Sequence, residues 1–82
     1  MYCTAACPFC QAAERLLAAK GVSGIERVRV DLDPARRAEM ARKSGLRSVP
    51  QIWIGGRHIG GSDELHALER AGELDQLLGK TT

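Results

Sequence analysis

The chain has 82 residues, which is enough for one domain (residues 1–82) and too few for a second hydrophobic core. Its 12 Lys and Arg residues against 10 Asp and Glu residues give a net charge of +2, a balance that argues against nucleic-acid or membrane-surface partners. No apolar run is long enough to cross a bilayer and the first residues lack a signal-peptide pattern, so we expect a cytoplasmic protein.

The first part of the chain alternates between β-prone and helical patterns. Residues 1–4 form a short, β-prone segment, which predicts a first strand. Residues 8–20 carry apolar side chains at helical spacing, which are Phe9, Ala13, Leu16 and Leu17. Gly21 follows where a helix is expected to end. Residues 25–30 contain branched side chains that favour a second strand.

A second helix is predicted by its start and stop signals. Asp33 is a preferred N-cap residue, and Pro34 follows it at the first helical position. The pattern continues to about Ser44, and Gly45 is a typical residue at a helix end. We therefore expect a helix over residues 34–44.

The last third predicts a β-hairpin followed by helices. Gly55-Gly56 joins two short apolar segments, residues 50–54 and 57–59, which is typical of a hairpin with a primed turn. Ser62 is placed to cap the next helix. The inner faces of that helix and of a short last one are expected to consist of Leu65, Leu68, Leu74, Leu77 and Leu78.

The predicted element order is β-α-β-α-β-β-α. A β-α-β start implies parallel strands joined by a right-handed crossover, and the glycine hairpin adds an antiparallel edge. The expected fold class is therefore α/β, with a mixed four-stranded sheet flanked by helices on both faces. That is the thioredoxin-like architecture.

The motif whose side chains can carry out a reaction is Cys7-Pro8-Phe9-Cys10. Pro8 marks a helix start, so Cys7 is predicted to occupy the N-cap, where its sulfur faces unpaired backbone N–H groups. Thiols in such positions are more acidic than a free cysteine and leave more readily from a mixed disulfide. Cys10 lies one turn inside the helix. We therefore assign Cys7 as the attacking thiol and Cys10 as the resolving thiol.

Other interpretations of this cysteine pair remain open. A Cys-x-x-Cys motif can supply half of a zinc site, but the remaining candidates, Cys3, His58 and His66, form no second closely spaced pair, so no metal is expected. A binding module that holds an iron–sulfur cluster between two protomers is a further alternative. A permanent structural disulfide is disfavoured because so short a loop constrains little of the unfolded chain. Cys3 is expected to be a buried, inert residue.

The sequence resembles the bacterial dithiol glutaredoxins, particularly those of the glutaredoxin 3 type. The resemblance covers essentially the whole chain and depends on an ordered set of motifs. These are Tyr2, Cys7-Pro8-Phe9-Cys10, Ala13-Glu14-Arg15-Leu16-Leu17, Lys20-Gly21-Val22, Ser48-Val49-Pro50-Gln51-Ile52 and Ile59-Gly60-Gly61-Ser62-Asp63-Glu64-Leu65.

The resemblance implies a glutathione-dependent disulfide oxidoreductase with glutathione as cosubstrate and no tightly bound cofactor. It implies that Val49-Pro50 is a cis peptide whose valine backbone pairs with the cysteinyl part of glutathione. Gly61, Ser62 and Asp63 correspond to the family's contacts with the γ-glutamyl end, and Arg37 to a contact with the glycyl carboxylate.

Three positions depart from the family pattern. Phe9 replaces the usual tyrosine but keeps the ring that contacts glutathione, Thr4 replaces a lysine, and Ser48 replaces a threonine. The expected partners are glutathione and proteins that carry glutathione or a disulfide, and we expect a monomer. A thioredoxin-type reductant served by a flavoprotein reductase is the second enzymatic alternative.

Overall fold

The computed structural model describes residues 1–79, and the predicted order of elements is confirmed there. The elements are β1 Tyr2–Cys3, α1 Pro8–Ala19, β2 Val28–Arg29, α2 Pro34–Ser44, β3 Ile52–Ile54, β4 Arg57–Gly60, α3 Ser62–Arg70 and α4 Leu74–Leu77. No helix within residues 1–79 is both long and apolar enough to cross a membrane.

Two strand pairs meet at Tyr2. β1 and β2 are parallel, with Tyr2 opposite Val28, whereas β3 and β4 are antiparallel. Tyr2 also forms an antiparallel bridge to Gln51, in which the Tyr2 N–H donates to the Gln51 carbonyl at 2.9 Å and the Tyr2 carbonyl accepts the Gln51 N–H at 3.2 Å. The strand order is therefore β2-β1-β3-β4. This arrangement, together with helices on both faces, agrees with the predicted mixed sheet and thioredoxin-like fold.

The second strand is shorter than predicted. The sequence favours a strand over residues 25–30, but only Val28 and Arg29 are paired. Because Val28 lies opposite Tyr2, residues 25–26 extend past the end of β1 and have no neighbouring strand. The segment is β-prone, but residues 25–26 have no strand to pair with and therefore stay irregular.

The start and end of α2 follow the predicted signals. The Asp33 carboxylate accepts the Ala35 N–H at 3.0 Å, which satisfies one of the free donors at the helix start. Pro34 occupies the first turn, and at the other end Gly45 is left-handed and donates its N–H to the Ala41 carbonyl. The two capping residues thus fix the length of this helix.

Glu39 lies on α2 beside two cations and the phenol of β1. Arg36 and Lys43 form ion pairs with its carboxylate, at 2.7 Å and 3.0 Å, and the Tyr2 hydroxyl donates to it at 3.0 Å. These hydrogen bonds, that from Arg36 first, lower the pKa of Glu39 to about 2. Glu39 therefore neutralises part of the positive charge that Arg36 and Lys43 bring to α2.

The hairpin turn confirms the glycine prediction. Gly55 and Gly56 have φ angles of 56° and 83°, and positive φ at both central residues is the signature of a primed turn. The ladder contains an irregularity, because Trp53 pairs with His58 while Ile52 pairs with Gly60. Ile59 is thus the extra residue of a β-bulge, which increases the local twist of the strand.

Two apolar clusters lie on opposite faces of the sheet. On one face the buried residues are Ala13, Leu17, Ile52, Leu65 and Leu74. On the other, facing α2, they are Tyr2, Val30 and Met40. Phe9 shares the helical spacing of the apolar residues of α1 but joins neither cluster, since its side chain is 62% exposed.

Candidate active site

The start of α1 places Cys7 as predicted. Cys7 is the N-cap, with extended backbone, and Pro8 occupies the first helical turn. The Cys10 N–H donates to the Cys7 sulfur at 3.2 Å, and both side chains are free thiols. A backbone N–H directed at sulfur is the type of contact that stabilises negative charge. Cys7 is thus the N-cap residue, and the backbone N–H of Cys10, one turn later, donates to its sulfur.

Cys10 lies deeper than Cys7, as the sequence indicated. The exposed fractions are 3% for Cys10 and 7% for Cys7. Burial first, and then the hydrogen bond with Cys7, raises the pKa of Cys10 to about 12, while backbone hydrogen bonding from Thr4 acts in the opposite direction. Cys10 is therefore a protonated thiol at neutral pH in the reduced pair.

The loop before β3 lies against the cysteine pair. The Val49-Pro50 peptide bond is cis, as the resemblance implied. The Cys7 sulfur lies 3.9 Å from the Val49 carbonyl oxygen, and Val49 packs against the cluster of buried cysteines. The loop therefore forms one wall beside the sulfur that is best placed to react.

A cleft of about 220 Å³ opens between this loop, α1 and α3. It brings together six of the seven residues predicted to contact glutathione, which are Phe9, Val49, Pro50, Gly61, Ser62 and Asp63. The other lining residues are Leu46, Ser48, Gln51 and Glu64. The cleft therefore unites segments that are far apart in sequence.

Arg37 is the exception among the predicted residues. It lies exposed in the first turn of α2, where its N–H donates to the Asp33 carbonyl, and it does not line the cleft. The position of Arg37 therefore does not support the predicted contact with glutathione, whereas the other six predicted residues line the cleft.

The cap of α3 differs from the prediction. Gly61, not Ser62, is the N-cap, and Ser62 is the first helical residue. The Glu64 carboxylate accepts the Gly61 N–H at 3.1 Å, while the Ser62 hydroxyl lies 3.2 Å from His66 Nδ1. Ser62 lines the cleft but is buried, and its hydroxyl lies beside His66, so it does not cap the helix.

Close packing explains glycine at positions 60 and 61. Gly60 has a φ of +114°, and a Cβ there would lie 3.1 Å from Glu64 Cγ. A Cβ on Gly61 would lie 3.3 Å from the Pro50 carbonyl oxygen. Larger residues would thus press the start of α3 away from the cis loop and change the cleft between them.

The sequence did not indicate the role of Gln51. Its side chain is 1% exposed, and its amide Nε2 donates to the Ser48 carbonyl at 3.0 Å and lies 3.3 Å from the Ser48 hydroxyl. Its Oε1 accepts from His58 Nε2 at 2.8 Å, since Nε2 of the amide already faces two oxygens. A glutamine directly before an apolar strand was the available signal, because a buried amide must find partners.

A larger cavity, about 540 Å³, lies along α1 and is lined by Glu14, Arg15 and Arg27 among others, but by no cysteine. In the part of the chain that the structure describes, no group of three or more His, Cys, Asp or Glu side chains is arranged to hold a metal ion. Neither lining includes a cysteine, but the Val49 carbonyl of the smaller cleft lies 3.9 Å from the Cys7 sulfur, so the thiol chemistry is assigned to that cleft.

Comparisons with known proteins agree with this geometry. A family model described as Glutaredoxin matches residues 1–59. A glutaredoxin of Pseudomonas aeruginosa is 56% identical over 78 residues, covering 95% of this chain and 92% of the relative. Glutaredoxin 3 of Escherichia coli is 46% identical over 78 residues, covering 95% and 93%. The crystal structure of the buckwheat glutaredoxin–glutathione complex is 28% identical with a TM-score of 0.86, covering 95% of this chain and 73% of that one.

Proposed function

Because the chain belongs to the glutaredoxin family and is a thiol–disulfide oxidoreductase, we propose that it depends on glutathione and works through Cys7 and Cys10. Its substrates are glutathione mixed disulfides and protein disulfides. The observation that carries the proposal is the position of the Cys7 sulfur, at a helix start and 3.9 Å from the Val49 carbonyl of the cleft wall.

The first step is attack by the Cys7 thiolate on the glutathione sulfur of a mixed disulfide. The substrate thiolate leaves and takes up a proton, and glutathione remains bonded to Cys7. The thiolate of a second glutathione then attacks the bound glutathione sulfur, so that oxidised glutathione leaves and Cys7 is a thiolate again. Cys10 takes no part in this route.

Cys10 enters when the substrate is a protein disulfide. Cys7 then forms a mixed disulfide with the substrate, and Cys10 attacks the Cys7 sulfur, so that a Cys7–Cys10 disulfide forms and the second substrate thiol is released. Two glutathione molecules then reduce this disulfide and leave as oxidised glutathione. The contribution of Cys7 to the raised pKa of Cys10 comes from a hydrogen bond and a charge that disappear once Cys7 is in a disulfide. Cys10 therefore becomes easier to deprotonate at the stage at which it must attack.

The cleft supports a bound glutathione of extended shape. Val49 offers backbone groups to the cysteinyl residue, a small-scale strand addition. The start of α3 offers N–H groups to the γ-glutamyl carboxylate, and Asp63 is exposed at the cleft, where it can meet the ammonium group. Phe9 and Pro50 supply apolar walls. The buckwheat glutaredoxin complex with glutathione supports the choice of this ligand.

Arg37 remains part of the proposal as the cation for the glycyl carboxylate. It is exposed and enters none of the ion pairs found within residues 1–79. Arg37→Gln is expected to raise the KM for glutathione, with Arg42→Gln as the matched control on the same helix. Equal KM values for the two variants would remove Arg37 from the site.

The mechanism is tested with two serine variants assayed on a glutathionylated peptide. Cys7→Ser is expected to abolish activity, whereas Cys10→Ser is expected to retain it and to lose activity on a protein disulfide. Serine is a preferred N-cap, so Cys7→Ser preserves the helix start. Activity that survives without Cys7, or that needs Cys10 for the glutathionylated peptide, would contradict the mechanism.

Glutathione dependence is tested at Asp63. Asp63→Asn removes one exposed ion pair with the ligand, so the KM for glutathione should rise about fivefold, equivalent to about 1 kcal/mol. Asp75→Asn makes the same charge change on α4, where Asp75 pairs with Lys20, and is the control. Efficient reduction by a thioredoxin reductase but not by glutathione would favour the thioredoxin-type alternative.

The proposal also includes the domain organisation, the oligomeric state and the choice against an iron–sulfur cluster. The relatives align over 95% of the chain, which supports one glutaredoxin domain over residues 1–82. The proposed oligomeric state is a monomer. Sedimentation of the reduced protein tests the monomer. A colourless protein after purification without oxygen is expected; a stoichiometric visible chromophore would favour the iron–sulfur alternative.

A further inference from the structure

A third cysteine lies next to the reactive pair. Cys3, Cys7 and Cys10 form one cluster of buried residues, with Met1 and Val49 packed against it. Their exposed fractions are 3%, 7% and 3%. Such a cluster is a connected set of residues, in which each member packs against at least one other. The mechanism proposed above uses only two of these three thiols.

The backbone holds Cys3 firmly beside α1. Alternation along β1 directs Tyr2 to the cluster that faces α2 and Cys3 to the cluster at the start of α1. The Cys3 carbonyl accepts the Val30 N–H at 3.0 Å, so the strand is anchored at this residue. Against the larger effect of burial, the backbone of the next residue, Thr4, acts to lower the pKa of Cys10, which places the end of β1 near the resolving thiol. Cys3 thus belongs to the same buried cluster as Cys10.

We infer that Cys3 is a second partner for Cys10, and that the oxidised Cys7–Cys10 disulfide exchanges internally to a Cys3–Cys10 disulfide that frees Cys7. This inference rests on the proposed function, which supplies the oxidised pair. In the exchange Cys3 loses its proton to solvent and its sulfur attacks Cys10 Sγ. The Cys7–Cys10 bond breaks, and Cys7 leaves as a thiolate. One disulfide and one free sulfur exist before and after, so no oxidant or reductant is consumed.

The surroundings of each sulfur favour this direction. Cys7 leaves into the position where the Cys10 N–H already donates to its sulfur. The Cys3–Cys10 bond that forms lies in the interior, beyond the reach of glutathione, because both residues are 3% exposed. The enzyme then keeps one oxidised bond in the core while Cys7 continues the glutathione route, which needs no Cys10.

Burial sets the speed of the exchange. Desolvation first, and then the charge of Glu14, raises the pKa of Cys3, so little thiolate exists at neutral pH. The cations that oppose this effect are the amino terminus, Arg29 and Arg27. The attacking species is the thiolate. The exchange should therefore accelerate about tenfold per pH unit below the pKa of Cys3.

The test traps Cys7 as it is released. The full chain is oxidised with oxidised glutathione until two thiols are lost, freed of oxidant, and incubated folded with iodoacetamide. Peptides are then mapped by mass spectrometry without reduction. The expected product carries the adduct on Cys7 and a disulfide between Cys3 and Cys10, and it forms faster as pH rises.

Cys3→Ala and Cys3→Ser are the matched controls, the second in case the first is unstable. Their oxidised forms have no free thiol, so neither should be labelled, and their Cys7–Cys10 disulfide tests the proposed function separately. Label confined to Cys3, or no label on the wild type while a control forms the Cys7–Cys10 disulfide, would overturn the exchange alone. Controls that form no such disulfide would overturn the proposed function and the exchange with it.

Discussion

Replacing Gln51 by leucine tests whether its buried amide holds the loop that carries Val49 and Pro50. Leucine has a similar size and keeps the backbone bonds to Tyr2, but it removes the contacts to Ser48 and His58. Each hydrogen bond contributes about 1 kcal/mol net, and the contact at 3.3 Å is the weakest. The free energy of unfolding should therefore fall by about 2 kcal/mol, which lowers Tm by roughly 8–16 °C in a domain of this size.

Urea unfolding followed by tryptophan fluorescence measures this loss. The only tryptophan, Trp53, stacks on His58 with ring centroids 4.5 Å apart, so its emission also reports the position of the imidazole. Ser48→Ala is the control, since it removes only the longer contact and should cost less than about 1 kcal/mol. The KM for glutathione should rise in Gln51→Leu because Ser48 adjoins the loop. An unfolding free energy within about 0.5 kcal/mol of wild type would refute the reasoning.

Three further predictions concern stability. Asp33→Ala should lower the unfolding free energy by about 1 kcal/mol in urea titrations, and Asp33→Ser should restore most of it; equal losses would dismiss the cap. Gly60→Ala should cost more than about 1 kcal/mol and more than Gly24→Ala, which shares the positive φ but has open space around it. The difference reports contact with Glu64, and identical losses would argue against that contact. Because the pKa of Glu39 falls from 4.5 to about 2 on folding, the stability that wild type gains over Glu39→Gln should be fully present above pH 4.5 and lost toward pH 2; a gap constant between pH 7 and pH 2 would contradict it.

Sequence signals were sufficient where neighbouring residues determine the structure. Cys7 followed by Pro8 identified the helix start, and Asp33 followed by Pro34 did the same for α2. Gly55-Gly56 specified its turn because both residues need positive φ. These features depend on local backbone preferences, which a single sequence contains.

Features that depend on distant neighbours were not predictable in the same way. Phe9 fits a helical apolar pattern, yet within the first turn of α1 it is Cys10 that is buried, whereas the Phe9 ring is exposed and lines the cleft. Ser62 is a preferred cap, but His66 engages its hydroxyl and Glu64 takes the capping role with the Gly61 N–H. The network of Gln51 joins three segments of the chain, and no local pattern specifies such a network.

The bridge between Tyr2 and Gln51 is the place where we expect the sheet to open without global unfolding. Within residues 1–79 it is the backbone join between the parallel pair and the hairpin, and it consists of two hydrogen bonds. Cooperative units of a protein separate where few bonds cross between them, at a free energy below that of global unfolding. Amide exchange at Tyr2 and Gln51 would report how often the two halves part. Since Gln51 lines the cleft and Cys3 of the cysteine cluster follows Tyr2, we expect the same opening to expose the interior thiols to solvent.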